Sequence, residues 1–160
     1  MFAKPQKEHE WLQQLVGDWV SEMDCSMGPG QPRSKSKGKE TVRSLGGLWT
    51  LGEGEGEMPD GNIGQTLITL GFDPAKGRFV GSFVGSMMTH QWHYDGTLDD
   101  SGKVLTLDTE GPSFDEDGAI KPYRDVVTIV SRDHRMLSSH MPDGNGGWTE
   151  FMTAHYRRVA

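Results

Sequence analysis

Trp11-Leu12-Gln13-Gln14-Leu15-Val16-Gly17-Asp18-Trp19-Val20-Ser21-Glu22-Met23 is the stretch in which the hydrophobic period of this chain changes. Upstream, Trp11, Leu12, Leu15 and Val16 recur at helical spacing, with Glu8, Glu10, Gln13 and Gln14 on a polar side. Pro5 suits a first helical turn and Gly17 a helix end, so a helix is expected over 5–16. Downstream the period is two: Trp19, Met23, Cys25 and Met27 alternate with Val20, Glu22 and Asp24, as in a half-buried strand.

No second helical pattern follows. Strand-length segments run over 37–45, 48–57, 63–72, 78–88, 91–98, 103–110, 123–131, 135–141 and 148–157. Gly46-Gly47, Asp60-Gly61, Asp73-Pro74-Ala75-Lys76-Gly77 and Asp99-Asp100-Ser101-Gly102 supply turn chemistry between them. The 22 glycines show no repeat and belong to such turns and to tight strand contacts. The longest connection, 111–122, is the one with the length of a lid. Sequential strands on short turns favour an up-and-down meander, and about ten of them favour closure, which removes exposed sheet edges. The fold class is therefore all-β: a closed antiparallel barrel with a short N-terminal helix, in one domain over 1–160. Beyond eight strands a barrel is too wide for side chains to fill, so an interior cavity is expected.

A net charge of -7 disfavours nucleic acid as a partner. No apolar run reaches the roughly 20 residues that span a bilayer, and no secretory core precedes the helix, so a cytoplasmic location is expected. The lone Cys25 cannot form an intramolecular disulfide and reads as a small buried hydrophobe. Arg33, Lys35, Lys37, Lys39 and Arg43 fall on one face of an extended segment, the pattern of a charge-protected edge strand. Glu53, Glu55 and Glu57 form a carboxylate ladder, of which Glu53, beside Trp49 and Leu51, is the one expected to turn inward. A free strand edge or the helix offers a route to a homodimer.

Strand parity nominates the cavity wall. Trp19, Met23, Trp49, Phe83, Trp92 and Met152 are expected as its apolar part, and His90, Arg124 and His140 as polar groups orienting a ligand at the mouth. Gly96 is expected to carry a bulge, which would shift that parity. His90-x-x-His93 splits across the two faces of a strand, so no metal is expected there. The chain has no Gly-x-Ser-x-Gly elbow, and Gly52-x-Gly54-x-Gly56 opens no helix and precedes no Lys-Ser/Thr pair.

Leu12-x-x-Leu15-Val16-Gly17-Asp18-Trp19 resembles the opening of calycin-type barrels such as lipocalins and nitrobindins. With Leu45-Gly46-Gly47-x-Trp49, Leu70-Gly71-Phe72-Asp73, Arg78-Phe79-Val80-Gly81, Gly96-Thr97-Leu98-Asp99, Gly102-Lys103-x-Leu105-Thr106-Leu107, Phe151-Met152 and Tyr156-Arg157, the whole chain resembles a bacterial family, domain of unknown function 1579. That resemblance implies a calycin-like barrel and no established activity. Where the family is expected to carry an acidic residue after Met152, this chain has Thr153. The likeness to nitrobindins further implies haem as an alternative ligand, held by His155 on the last strand. Three uses of one container follow: binding a small, mostly apolar molecule with no cofactor; acid–base chemistry on such a molecule; and haem binding.

Overall fold

A computed structural model describes residues 2–26, 32–114 and 117–160. Helix α1 (Lys7–Gln13) precedes β1 (Gly17–Ser26), β2 (Arg33–Leu45), β3 (Trp49–Glu57), β4 (Ile63–Asp73) and β5 (Arg78–Gly85). The second half comprises β6 (Trp92–Leu98), β7 (Val104–Pro112), β8 (Ile120–Ser131), β9 (His134–Pro142) and β10 (Trp148–Arg158). Each strand pairs antiparallel with its sequence neighbour, and β1 pairs with β10 from Trp19↔Arg158 to Cys25↔Met152, closing the expected up-and-down barrel. Met27, assigned to the first strand by alternation, lies outside the described residues, as do positions 115–116 of the long loop. Gly111 and Pro112 extend β7, and Ile120 to Pro122 extend β8, so that loop is shorter than its sequence suggested.

The helix is also shorter than its apolar spacing predicts. After Gln13 the bonds Leu15 N–H to Leu12 O (3.0 Å) and Val16 N–H to Gln13 O (3.1 Å) tighten the chain into turns of three residues. Gly17 follows at φ +144, a conformation in which an added Cβ would also strike the Arg158 guanidinium. That guanidinium satisfies the carbonyls of the helix end, Nη1 donating to Val16 O (2.6 Å) and Nη2 to Gln14 O (2.8 Å). The last strand thus ties down the first helix.

α1 stoppers one end of the barrel. Leu12 and Leu15 are buried within a core shared with Trp19, Val42, Leu70 and Phe79. Trp11 Nε1 donates to Gly102 O (2.6 Å), and its ring meets Phe79 edge-on. His9 accepts the Gln6 N–H at Nδ1 (2.9 Å), so the proton on Nε2 is the one given to Phe72 O (3.0 Å); a neutral tautomer seals the plug. The turns 46–48, 74–77, 99–103 and 132–133 lie at this end, and the C-terminal ends of β1, β3, β5, β7 and β9 surround the opposite mouth.

Four expectations about the sheet need correction. β2 is no edge, because β1 and β3 flank it; its outward cations face the Glu53, Glu55 and Glu57 ladder, with Lys39 Nζ 3.6 Å from Glu55 and Arg43 Nε 3.8 Å from Glu53. Glu53 therefore points out, and the free edge invoked for dimerisation is absent among the described strands. Gly96 carries no register shift; the irregularities fall between Ile129 and Ser131 and between Glu150 and Met152. Gly96 is instead a packing site, since a Cβ there would press on Leu107 and Phe79.

Leu12→Ala should destabilise the barrel by about 2–5 kcal/mol, because it opens a void between plug and wall; urea unfolding of the variant measures the loss.

Candidate functional site: an apolar cavity with a buried acid

Above the plug, the barrel interior is open over about 300 Å³. Leu15, Val42 and Leu70 form the floor, and Met23, Phe83 and Met152 belong to the wall. Aromatic rings crowd the mouth: Trp92 packs edge-on against Tyr123 (centroids 5.3 Å apart), and Phe114 lies 5.6 Å from Tyr123 and 5.0 Å from Phe151. Trp92 Nε1 donates to Met88 Sδ (3.0 Å), and its ring occupies the space that a Cβ at Gly111 would need. On β3 the inward positions beyond Thr50 are Gly52, Gly54 and Gly56, so this part of the wall is backbone only and leaves room inside.

Into this apolar space project two polar groups of different character. Glu40 from β2 and Arg135 from β9 form a buried ion pair, their side chains 11% and 8% exposed. The Arg135 guanidinium lies between rings, 4.6 Å from the Trp19 centroid and 4.1 Å from that of Tyr156. Gly52 makes room for the pair, because a Cβ there would meet the Glu40 carboxylate. Burial pushes the Tyr156 hydroxyl well above its usual acidity range, with the Glu40 charge adding to the effect.

The second group is Asp125 on β8. Its Oδ2 accepts the Tyr94 hydroxyl (2.5 Å) and its Oδ1 the Ser139 hydroxyl (2.6 Å), so three strands converge on one carboxylate. Burial pushes the Asp125 carboxyl above the usual carboxylate range, while the Ser139 and Tyr94 hydrogen bonds pull against that rise. Tyr94 is raised as well, first by burial and then by the neighbouring Asp125 charge. A carboxyl and a phenol in such contact can hold or pass a proton.

Of the residues nominated from sequence, Met23, Phe83, Trp92 and Met152 line the cavity. Trp19 points inward but lies beneath it, buried in the plug, where Nε1 donates to Leu15 O (2.9 Å) and Arg158 covers the ring at 4.3 Å. Trp49 is on the outer surface over Gly71, because Thr50, Gly52 and Gly54 take the inward positions of β3. Arg124 and His140 also face out. Arg124 Nε meets Asp108 at 2.7 Å with its guanidinium 4.4 Å from the Trp148 ring centroid, and His140 Nε2 lies 3.0 Å from Ser138 Oγ. His90 precedes β6 and buttresses the mouth from behind, bonding Glu110 O at 2.9 Å and meeting Trp92 edge-on at 4.8 Å. His155 is outward too, paired with His134 (Nδ1 to Nε2, 2.9 Å), while Ala154 and Tyr156 take the inner face. A haem iron in the cavity would have no axial ligand from that position, so the residues do not fit the haem reading. Thr153, its neighbour, bonds Glu150 on the outside. Cys25 is half-buried rather than buried, and that burial raises its thiol. Among the described residues no group of three or more His, Cys, Asp or Glu could hold a metal ion.

Asp125, Tyr94, Ser139, Glu40 and Arg135 escaped the sequence reading. A signal for Asp125 existed: Leu105 and Leu107 must point inward, which sends Asp108 out, and an opposite charge across the strand pair draws Arg124 with it. Asp125 is then the inward neighbour.

Because the folded protein holds the Asp125 proton more tightly than the unfolded chain does, this group's stabilising contribution is complete below the ordinary carboxyl range. It is lost as pH rises through the raised folded value. Asp125→Asn should therefore unfold at higher temperature than the parent at neutral pH, with the gap shrinking on acidification; a series of thermal melts against pH reads this directly. Glu40→Ala leaves a buried guanidinium unpaired and should cost about 3 kcal/mol, most of it recovered in Glu40→Leu/Arg135→Met, in denaturant titrations of both variants.

No curated protein matches this sequence. Among solved structures, the barrel is similar to Rv2717c from M. tuberculosis, with a TM-score of 0.69 and 15% identity over 98% of this chain and 100% of that one. It is also similar to the S-type phycobiliprotein lyase CPES from Guillardia theta (TM-score 0.61, 15% identity, 98% and 99% covered). A third likeness is to EF1p2_mFAP2b bound to DFHBI (TM-score 0.50, 12% identity, 94% and 98% covered). At these identities the likeness concerns the fold alone. The family model described as "Protein of unknown function (DUF1579)" matches residues 4–158, and the chain belongs to that family.

Proposed function

We propose that this protein binds a small, mostly apolar molecule inside the barrel, admitted through the aromatic mouth. The observation that carries the reading is the open interior of about 300 Å³ behind Trp92, Phe114 and Phe151. A close-packed core would leave no such space, and this volume is at the small end of ligand pockets. Met23, Phe83, Trp92 and Met152 supply apolar contact, and Asp125 with Tyr94 and Ser139 replaces the expected His90, Arg124 and His140 as the orienting group. The similar EF1p2_mFAP2b is bound to DFHBI, which supports reading this fold as one that takes a small molecule.

Acid–base catalysis on the captured molecule is the second reading, and a different observation favours it. The 2.5 Å contact between Tyr94 and Asp125 joins two groups whose acidities burial has shifted, inside the only space a substrate could share with them among the described residues. The lone Cys25 fits work in a reducing compartment such as the cytoplasm.

Nile red, a neutral dye, should bind saturably at one molecule per barrel with blue-shifted emission. Ser36→Trp, placing a ring on the cavity wall, should lower that affinity about tenfold or more without lowering the unfolding temperature. Unsaturable emission, or binding untouched by the substitution, would place the dye elsewhere and count against the container.

A further inference from the structure

We propose that the molecule held in the cavity carries a protonated amine, with Asp125 as its counter-charge; this rests on the reading of the barrel as a binding site. The charges facing the interior among the described residues are Glu40, Arg135 and Asp125. Glu40 and Arg135 neutralise each other, and the Arg135 guanidinium also packs against the Trp19 and Tyr156 rings, its Nε buried with no hydrogen-bond partner. Lys37, Lys39 and Glu55 reach the lining by way of the β2 and β3 backbone; all three residues are exposed, and Lys39 extends toward Glu55 on the outside. The hydrogen bonds to Asp125 come from neutral hydroxyls, Tyr94 and Ser139; among the described residues no cation contacts its carboxylate, and His140, whose charge acts on it, stands on the outer face bonded to Ser138.

A carboxylate in an apolar hollow is costly unless a cation joins it. Each of its oxygens has spent one acceptor site on a hydroxyl, and an ionised carboxylate has about four. The capacity that remains faces the cavity, where an ammonium group would satisfy it with charge-assisted hydrogen bonds. The approach is suited to the same cargo. Trp92, Phe114, Tyr123 and Phe151 present aromatic faces that attract cations, and the net charge of -7 favours a positive ligand over a negative one. An anionic ligand would meet the Asp125 charge, while the charge of Arg135 is already matched by Glu40.

Three compounds of nearly equal shape separate the possibilities: 1-naphthylmethylamine, 1-naphthalenemethanol and 1-naphthoic acid, each displacing Nile red from the full chain at neutral pH. The amine should bind at least about tenfold more tightly than the alcohol, and the acid most weakly. In Asp125→Asn the advantage of the amine over the alcohol should disappear, the two binding within about twofold of each other. Should that variant not fold, the ranking of the three compounds on the parent protein decides alone. An alcohol or acid that binds as well as the amine, or a preference that survives Asp125→Asn, overturns the amine while leaving the container intact. Failure of the dye and all three compounds to enter overturns both.

Discussion

Everything in this molecule depends on the ladder between β1 and β10. Seven paired positions join the two ends of the chain, and Arg158, at the foot of that ladder, also holds the carbonyls that end the helix. Closure is thus coupled to plugging. Ten strands bound into a ring set a circumference that ordinary side chains fill only at the stoppered end, where Leu12, Leu15, Trp19 and Phe79 meet. The hollow above them follows from strand number as much as from any particular residue.

Within that hollow the protein handles two acids in opposite ways. Glu40 is matched by Arg135, and both are walled off by indole and phenol, an arrangement that serves the fold. Asp125 has hydroxyl partners and sits where burial raises its proton affinity. A buried acid held without a cation is a stability cost that packing alone does not explain, and such groups gather where a protein does chemistry or binds.

The architecture was legible because it is written in periodicity. The change from helical to alternating spacing at Gly17, the Gly and Asp turns, and the number of strands all survive small errors in where a strand begins. The site was less legible because it depends on parity, which reverses with a one-residue slip. Trp92, Phe83, Met23 and Met152 lie on the cavity wall, where an apolar type and apolar neighbours along the strand agree. Arg124 and His140 misled because a cation and an imidazole look functional wherever they fall. Asp125 was hidden in a strand whose two faces are nearly equally apolar, and only the register of β8 against β7 and β9 distinguishes them. The Glu40–Arg135 pair joins residues 95 positions apart and could not be read from either neighbourhood.

The Glu-Gly alternation of β3 separates two properties that most strands link. Its outward carboxylates answer the lysines and arginines of β2, while its inward face beyond Thr50 is bare backbone. At Gly56 an added methyl would meet nothing nearer than the Lys37 carbonyl at 4.0 Å, whereas at Gly52 it would collide with Glu40. The ribbon is therefore graded, permissive near the rim and strict near the ion pair. Relatives of this chain could resize their chamber from the rim downward, one small side chain at a time, and keep the same outer surface.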